Sequence, residues 1–448
     1  AIEGVSRQMV WSFLHSHPYY NSEQVSQRYV PVKTDHYYTP ANLSPESQRL
    51  YRQTIAFSMQ AYEELCATLL EPAAAEFYRL FPARRQRPER WQGVIKKKAM
   101  EVARYVLPLA THTYLYHTIN GLTLHRYRKL CQAFDVPAET TNVVEAMTRA
   151  VLEDDPDYAA EFADPEPLEE TLEYRFFMEN YGQLQTNPVA RDFIREFDEA
   201  LEGKIARLFP PLEGSEAILA AAVRSVLGQA RSALPDEKAI ELVLSPSTNN
   251  YLRSTLNESS LSRTTRALYN LHYTFQKKLS HTADSQDQRH RMVPASRPVL
   301  MSHFTGEADF ITPALIRSSP ELEERYFEVM QVIFKGTGAF LDSGATPEQA
   351  SYLLPNAFPV RFFESGDLLN LHHKWKTRTC YNAQEEIFQA SVEELQQLAR
   401  YQPGIARWIK EPCWVRKMAG VTPFCPEGDR YCGVPVWEKE LEGYKRLI

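Results

Sequence analysis

Apolar positions in this chain recur mostly at helical spacing. Behind Ser44-Pro45-Glu46, the stripe Tyr51, Ile55, Met59, Tyr62, Cys66 and Leu69 keeps one face of a long helix apolar. That pattern predicts a helix packed on a core, not a cofactor-binding box. The triplet supplies its start: serine suits the N-cap, proline costs nothing at the first helical position, and glutamate faces the positive end of the dipole. Ser319-Pro320-Glu321 repeats that start and predicts a second long helix. The most apolar run, Ala217 to Leu227, is interrupted by charge and is well short of the roughly 18 residues a membrane span requires. No membrane association is expected.

The two helix starts belong to a longer self-similarity. In the first half, His17 is followed by Thr39-Pro40, Ser44-Pro45-Glu46 and Arg104-Tyr105-Val106-Leu107-Pro108. In the second, His290 is followed by Thr312-Pro313, Ser319-Pro320-Glu321 and Tyr352-Leu353-Leu354-Pro355. His17 and Pro40 stand 23 residues apart, as do His290 and Pro313, and this equality predicts a duplication. The histidine lies 91 residues before the Leu-Pro element in the first half and 65 in the second. The 26 extra residues fall largely around Phe81 to Gln92, where Arg84, Arg85, Arg87 and Arg90 cluster, and read as a solvated insertion. Between the halves, Glu153 to Glu173 is rich in Asp, Glu and Pro, which predicts a solvated linker or surface loop.

With 448 residues, 44% hydrophobic and 24% charged, the chain has an ordinary globular composition and length for more than one core. Seventeen glycines against 29 prolines exclude collagen-like and flexible-linker classes and favour proline-set turns. A net charge of −7 opposes binding to a nucleic-acid backbone without a local basic patch, and still admits a nucleotide-sized anion. Six cysteines are too few for a disulfide scaffold and fit a reducing compartment, so a cytoplasmic location is expected. The chain opens with Ala1-Ile2-Glu3, without methionine, which leaves room for a leader or further N-terminal piece.

Two segments carry candidate chemistry. Gln286-Asp287-Gln288-Arg289-His290-Arg291 sets two guanidiniums beside an imidazole, a set of donors that can orient a phosphate or pyrophosphate. The same triplet also suits a solvated basic face. Ser22-Glu23-Gln24-Val25-Ser26-Gln27-Arg28-Tyr29 offers a hydroxyl, loop N–H groups and an arginine as a phosphate cradle, with Gln24 able to read a base or sugar, or else serves as a surface loop. Ser26 has no base or orienting partner in its loop and reads as a binding residue, not a nucleophile. Near the C-terminus, Cys413, Cys425 and Cys432 would form a zinc site if His372 or His373 completed the set; otherwise they are reduced structural cysteines or an adventitious disulfide.

Together the Arg-His-Arg triplet, the Gln24 to Tyr29 loop, and Glu101-Val102-Ala103-Arg104-Tyr105-Val106-Leu107-Pro108-Leu109, continuing through Thr118-Ile119-Asn120, resemble the flavin-dependent thymidylate synthases. The second half resembles them through Glu348-Gln349-Ala350-Ser351-Tyr352-Leu353-Leu354-Pro355, Arg361-Phe362-Phe363, and Trp375-Lys376-Thr377-Arg378 ahead of Asn382-Ala383-Gln384. The resemblance covers most of residues 5–135 and 265–390. It is that of a tandem, two-repeat member of a family whose ordinary members are single-repeat homotetramers. It implies that Arg289, His290 and Arg291 contact FAD, with His17 and Asn120 as further cofactor candidates. It implies that Gln24, Ser26, Gln27 and Arg28 hold the phosphate side of dUMP, that Arg104 and Gln286 are nucleotide ligands, and that Arg378 meets the uracil ring. Each half departs from the pattern. The first reads Ser16-His17-Pro18 at the triplet, Gln24 where the family usually has glutamate, and Cys131 opposite Arg378. The second lacks the phosphate loop and has Ser351 opposite Arg104. Each half keeps what the other has lost, which implies one hybrid site, since sites in that family are shared between subunits.

The expected fold is α/β and helix-rich. It comprises a first repeat over residues 1–150 lacking its early strands, an acidic linker and connecting segment over 151–245, a second repeat over 246–390 and a cysteine-containing extension over 391–448. A homodimer would imitate the four-lobed tetramer. The expected function is FAD-dependent methylation of dUMP to dTMP, with methylene-tetrahydrofolate and NADPH as cosubstrates. The alternatives are related flavin-dependent one-carbon or redox chemistry on another pyrimidine nucleotide, and a non-catalytic nucleotide-binding homologue. In the enzyme readings the protein contributes orientation and phosphate electrostatics.

Overall fold

The computed structural model describes residues 1–14, 20–28, 30–131, 136–162, 167–184 and 187–448. Its strands form two antiparallel sheets. The first holds β1 (Ile2–Ser6), β2 (Asn21–Gln24) and β3 (His112–Thr118) in the order β1-β3-β2. The second holds β4 (Ala206–Leu208), β5 (His272–Ser280), β6 (Ala295–Ser296) and β7 (Pro359–Asp367) in the order β4-β5-β7-β6. Along β3, Thr113 and Leu115 are buried while Tyr114 and Tyr116 are exposed, the period of two expected of a sheet with one wet face. The first four residues of β7 are all buried, so the second sheet is the deeper one.

Both halves run through the same order of elements. A strand, β1 or β5, ends in serine and enters the helix Arg7–Leu14 or His281–Asp287. The long helix Pro45–Thr68 or Pro320–Asp342 follows, and a Leu-Pro turn then leads into β3 or β7. Asn120 or Asp367 caps the next helix, Gly121–Leu130 or Leu368–Arg378. The long helices start where the Ser-Pro-Glu triplets predict: Ser44 Oγ accepts from the Ser47 N–H at 3.1 Å, and Ser319 Oγ from the Leu322 N–H at 3.4 Å.

These two helices share one core. Tyr51, Ile55, Met59 and Leu65 lie in the same buried cluster as Tyr326, Met330, Ile333 and Phe334. Their close approach needs Gly336, because a Cβ there would come within 2.5 Å of Thr54 Oγ1. The two Leu-Pro turns also meet. Leu109 N–H donates to Leu354 O at 2.9 Å, Asn356 N–H to Leu107 O at 2.8 Å, Ala110 N–H to Tyr352 O at 2.9 Å and Ala357 N–H to Tyr105 O at 2.9 Å, around an antiparallel bridge between Pro108 and Pro355.

Two buried carboxylates cross-link the halves beside this joint. Ser6 donates its N–H at 2.7 Å and its hydroxyl at 2.5 Å to Glu139, and Tyr352, from the other half, donates to the same carboxylate at 3.1 Å. The counterpart has Ser280 donating its N–H and hydroxyl to Glu386, both at 2.6 Å, with Tyr105 of the first half donating to the same group.

Several expectations meet a different arrangement. The segment over 151–245 includes the helices Leu172–Tyr181, Ala190–Leu201, Ser215–Leu227 and Asp236–Leu244, and its strand β4 extends the second sheet. Residues before β4 also pack on the second half: Asp198 pairs with Lys278 at 2.6 Å and with Arg361 at 2.8 Å. β1 occupies the position in the first sheet that β5 holds in the second, and among the described residues no strand of the first sheet stands where β4 flanks β5. The helix Glu385–Tyr401 runs across the expected boundary at 390, and its Glu386 latch ties it to the second half. In the arginine-rich insertion Arg85, Arg87 and Arg90 are exposed, as a solvated insertion requires, and Arg84 is the exception: its guanidinium lies 4.1 Å from the Trp91 ring and 4.3 Å from that of Phe81, and donates to Tyr431 O at 3.2 Å. Cys413, Cys425 and Cys432 are unpaired thiols. Among the described residues no group of three or more His, Cys, Asp or Glu is placed to hold a metal ion, so the expected zinc set is not assembled there.

The crossed latches should be measurable. Tyr352→Phe and Tyr105→Phe should each lower the free energy of unfolding by about 1 to 3 kcal/mol, as expected for losing a buried hydrogen bond to a carboxylate. Urea titration checks this, and a loss within experimental error for both would sink the latch.

Candidate functional site

The strand β2 from the first half lies against the turn that follows the helix His281–Asp287. There Arg289 donates to Gln24 Oε1, and Gln24 in turn donates to Thr113 Oγ1 at 3.3 Å. Arg291 donates to Asn21 Oδ1 at 3.1 Å, with its guanidinium 5.0 Å from the Tyr20 ring. The Arg-His-Arg triplet of one half is thus clasped by the loop strand of the other.

Arg378, in the last turn of the helix Leu368–Arg378, donates from Nε to His290 Nε2 at 2.9 Å and from Nη2 to Gln286 O at 2.7 Å. A guanidinium can only donate, so His290 Nε2 must be bare and the ring proton must sit on Nδ1. Burial, then Arg378 and Lys374, hold the His290 imidazolium well below its usual range, which keeps the ring neutral. Gln286 also reaches Gln384 Oε1 at 3.5 Å, and Gln384 donates to the Tyr105 hydroxyl at 2.6 Å.

The first half adds buried cations with unfilled donors. Arg104, 4% exposed, stands directly after the helix Gln92–Ala103 and has no partner for Nε or Nη2. Its carbonyl accepts from Asn356 Nδ2 at 2.9 Å, and the same amide reaches Gln27 Oε1 at 3.2 Å, leaving Gln27 Nε2 unpartnered. Arg7 Nη2 donates to Val25 O at 3.0 Å, while Arg7 Nε and the buried Ser22 hydroxyl have no partner. Burial, with Arg104 and Arg289 nearby, pulls Arg7 down to about 9. Arg7, Ser26 and Gln27 line a cavity of about 490 Å³ with Lys33, His36 and His112. Buried polar groups are nearly always satisfied, and unfilled donors of this kind suit an anion.

Arg28 leaves that cradle. Its Nε pairs with Glu101 at 2.7 Å and its Nη2 donates to Asn382 O at 2.8 Å, so only its backbone N–H returns to Ser26 Oγ, at 3.2 Å. The expected Ser26-Gln27-Arg28 phosphate loop therefore divides, with Arg28 held toward the second half and Arg7 taking its place beside Ser26.

Under His290 lies a set of five fully buried charges. Lys277 Nζ stands 2.6 Å from Asp287, 3.1 Å from Glu364 and 2.9 Å from Glu394. Lys374 stands 3.0 Å from Asp287 and also contacts Glu364. Three carboxylates face two ammoniums, so one proton restores neutrality. Burial and the neighbouring Asp287 push Glu364 up to about 7, making it the group that takes this proton, while the lysines hold Asp287 well below its usual range.

The structure thus brings Gln24 together with Arg289, and Gln286, His290 and Arg378 with one another, with Arg291 held beside them on Asn21. Arg104 is tied to Gln27 through Asn356, and its charge acts on Arg7 together with that of Arg289. Asn120 is spent as a helix cap, accepting from the Thr123 N–H at 2.9 Å. His17 lies outside the described residues. His372 is buried, and the His373 ring is 6.0 Å from that of His290. Arg7 and the five-charge set escaped the sequence reading; the only signal for Arg7 is its place directly after Ser6, as His281 follows Ser280.

Comparison with known families supplies the context. The family model described as "Thymidylate synthase complementing protein" matches residues 1–157 and 207–404. The chain belongs to this family. Its relatives include the flavin-dependent thymidylate synthase of Geobacter sulfurreducens, 27% identical over 166 residues covering 36% of this chain and 68% of the relative. That of Thermococcus kodakarensis is 26% identical over 176 residues, covering 38% and 69%. That of Clostridium tetani is 30% identical over 129 residues, covering 28% and 47%. Membership of a thymidylate synthase complementing protein family agrees with the donor set, since unfilled guanidinium, amide and hydroxyl groups suit phosphates better than they suit a metal ion.

Two outcomes follow from these electrostatics. Arg104→Met removes a desolvated charge, so the unliganded protein should be at least as stable as the parent. Inorganic phosphate, which should raise the melting temperature of the parent, should no longer do so. Thermal melts with and without phosphate decide this, and retained phosphate stabilisation would count against an anion site at Arg104. For Glu364 the sign is that of a carboxyl whose pKa is higher folded (about 7) than unfolded (about 4.3). The native state binds the extra proton between these values, so this group makes stability fall as pH rises across that window, by at most about 1.4 kcal/mol per pH unit. Glu364→Gln should flatten the stability-versus-pH curve there. An unchanged slope would remove Glu364 as the proton holder.

Proposed function

We propose that the chain carries one composite site for FAD-dependent methylation of dUMP to dTMP, formed between two tandem copies of the family unit. The observation that carries this is complementarity in space. Gln24, Arg104 and Arg7 come from the first matched segment, Gln286, Arg289 and Arg378 from the second, and the residues each half lacks are supplied by the other. The shared order of elements in both halves supports the tandem reading. A homodimer would then bring four such units together.

In this reading Arg104, Arg7 and Ser26 hold the nucleotide phosphate, whose charge fills donors that are otherwise bare. Arg378, fixed by His290 and the Gln286 carbonyl, points a rigid guanidinium at the pyrimidine ring. Neutral His290 accepts from Arg378 without adding a further buried charge. Gln24, held by Arg289, takes the position at which the resembled family usually has glutamate, and reads base or sugar as an amide. Bound FAD would supply the hydride, methylene-tetrahydrofolate the carbon, and NADPH the reducing power. No protein thiolate is required, and burial pushes all six thiols up, Cys66 to about 11 and Cys380 to about 12, which suits chemistry without a cysteine nucleophile.

Reconstitution with FAD should give flavin absorption bands, and calorimetric titration should then show one dUMP per chain. Arg378→Ala should weaken dUMP binding by about 1.5 to 3 kcal/mol, and its effect should be strongly non-additive with that of Arg104→Met because both serve one ligand. Two sites per chain, or dUMP affinity indifferent to both changes, would refute the composite site.

A further inference from the structure

A second cavity, of about 430 Å³, also has Arg28 in its wall, but most of its lining comes from parts the first site does not use. Phe81, Arg84 and Trp91 belong to the insertion that lengthens the first half. Arg430, Tyr431 and Arg446 lie beyond residue 404, where the family match ends. The lining carries six cationic side chains, with Lys97 and Lys98 completing the set, against two acidic ones, Glu101 and Glu427. Glu101 is already neutralised by Arg28 at 2.7 Å and Lys98 at 3.4 Å. In a chain of net charge −7, this local excess of positive charge stands out.

Arg446 adds an independent sign. It is 4% exposed, its terminal nitrogens donate to Tyr381 O and Ala383 O, and its Nε has no partner. The lining also carries flat groups: the Arg84 guanidinium lies 4.1 Å from the Trp91 ring and 4.3 Å from that of Phe81, and Tyr431 stacks on the Trp437 ring, with centroids 6.0 Å apart. Guanidinium planes and aromatic rings are surfaces on which nucleobases stack, and lysine and arginine heads are phosphate donors. The volume lies in the range of small-molecule sites.

We propose that this cavity binds a nucleoside polyphosphate, distinct from the nucleotide of the composite site. The base lies on the Arg84, Trp91 and Tyr431 wall and the phosphates on Lys97, Lys98, Arg430 and Arg446. Lys98 supplies a signature of its own. Burial holds it down to about 8, so a phosphate placed beside it raises its affinity for a proton, and binding near pH 8 takes up protons from the buffer.

The test is calorimetric titration with dTTP and with ATP while dUMP saturates the composite site. The expected result is one further ligand per chain, with proton uptake at pH 8 seen as heats that differ between buffers of different ionisation enthalpy. Lys97→Ala/Arg430→Ala, both at exposed positions, should weaken this binding about tenfold or more through lost charged hydrogen bonds, and leave dUMP affinity unchanged. Absence of binding by both probes at millimolar concentration, binding indifferent to the double variant, or displacement by dUMP would each overturn the proposal. Equal binding of inorganic tripolyphosphate would overturn its nucleoside part. Should the parent fail to bind dUMP, the composite-site reading falls alone, and the same titration without dUMP still decides this one.

Discussion

The joint between the two Leu-Pro turns is the constraint on which the rest of the molecule depends. Proline has no N–H, so Pro108 and Pro355 can face each other only if the residues around them carry the hydrogen bonds, and the four bonds from Leu109, Ala110, Asn356 and Ala357 do so reciprocally. A turn bonded in this way cannot shift in one half without breaking bonds in both. Each side of the joint is then tied to a carboxylate of the opposite half through Tyr105 or Tyr352. Arg104 immediately precedes one of these tyrosines, and Asn356, which holds Gln27 and the Arg104 carbonyl, immediately follows Pro355. Arg104 and Gln27 are therefore positioned by the same contacts that hold the halves together.

Electrostatics explains why such a site would be kept. Guanidiniums out of water without partners cost several kcal/mol unless something repays the desolvation. Among the described residues Arg7 has a hydrogen bond to Val25 O and Arg104 feels the charge of Glu101, but both keep bare guanidinium nitrogens, whereas the equally buried Lys277 and Lys374 have three carboxylates around them. The contrast separates two kinds of buried charge. The lysine set is internally neutral once Glu364 holds a proton, and it supports His290 and Arg378 from below. In the proposed function an anion supplied from outside completes the arginine set.

What the sequence revealed divides along the same line. The long helices, their serine caps and the equal His-to-Pro spacing were legible because they depend on neighbours close in sequence, as was the complementary loss of Arg-His-Arg, phosphate loop, Arg104 and Arg378 between the halves. The joint itself was not legible, because nothing local in Leu-Pro says that two copies pair. Arg28 was identified as a binding residue but not its capture by Glu101, a contact across 73 residues of chain that competes with the loop. Arg7 carries no motif. Of the arginine cluster only Arg84 departs from the solvated reading, because charge density alone cannot show that Phe81 and Trp91 pack on that one side chain.

The symmetry of the joint also shows why one composite site per chain is the physical expectation. The pseudo-equivalent place opposite Arg104 holds Ser351, whose hydroxyl is already spent on Glu348 O at 2.6 Å. The place opposite Arg378 holds Cys131, whose thiol burial pushes up and which brings no positive charge. The order of elements recurs in both halves among the described residues, but these cations do not. A phosphate entering that second place would lose its water without gaining a guanidinium, so the framework alone would not hold it. Retaining both frameworks while losing one set of cations is what results if each half is needed to shape the other, because the joint requires two turns even where only one site requires charge.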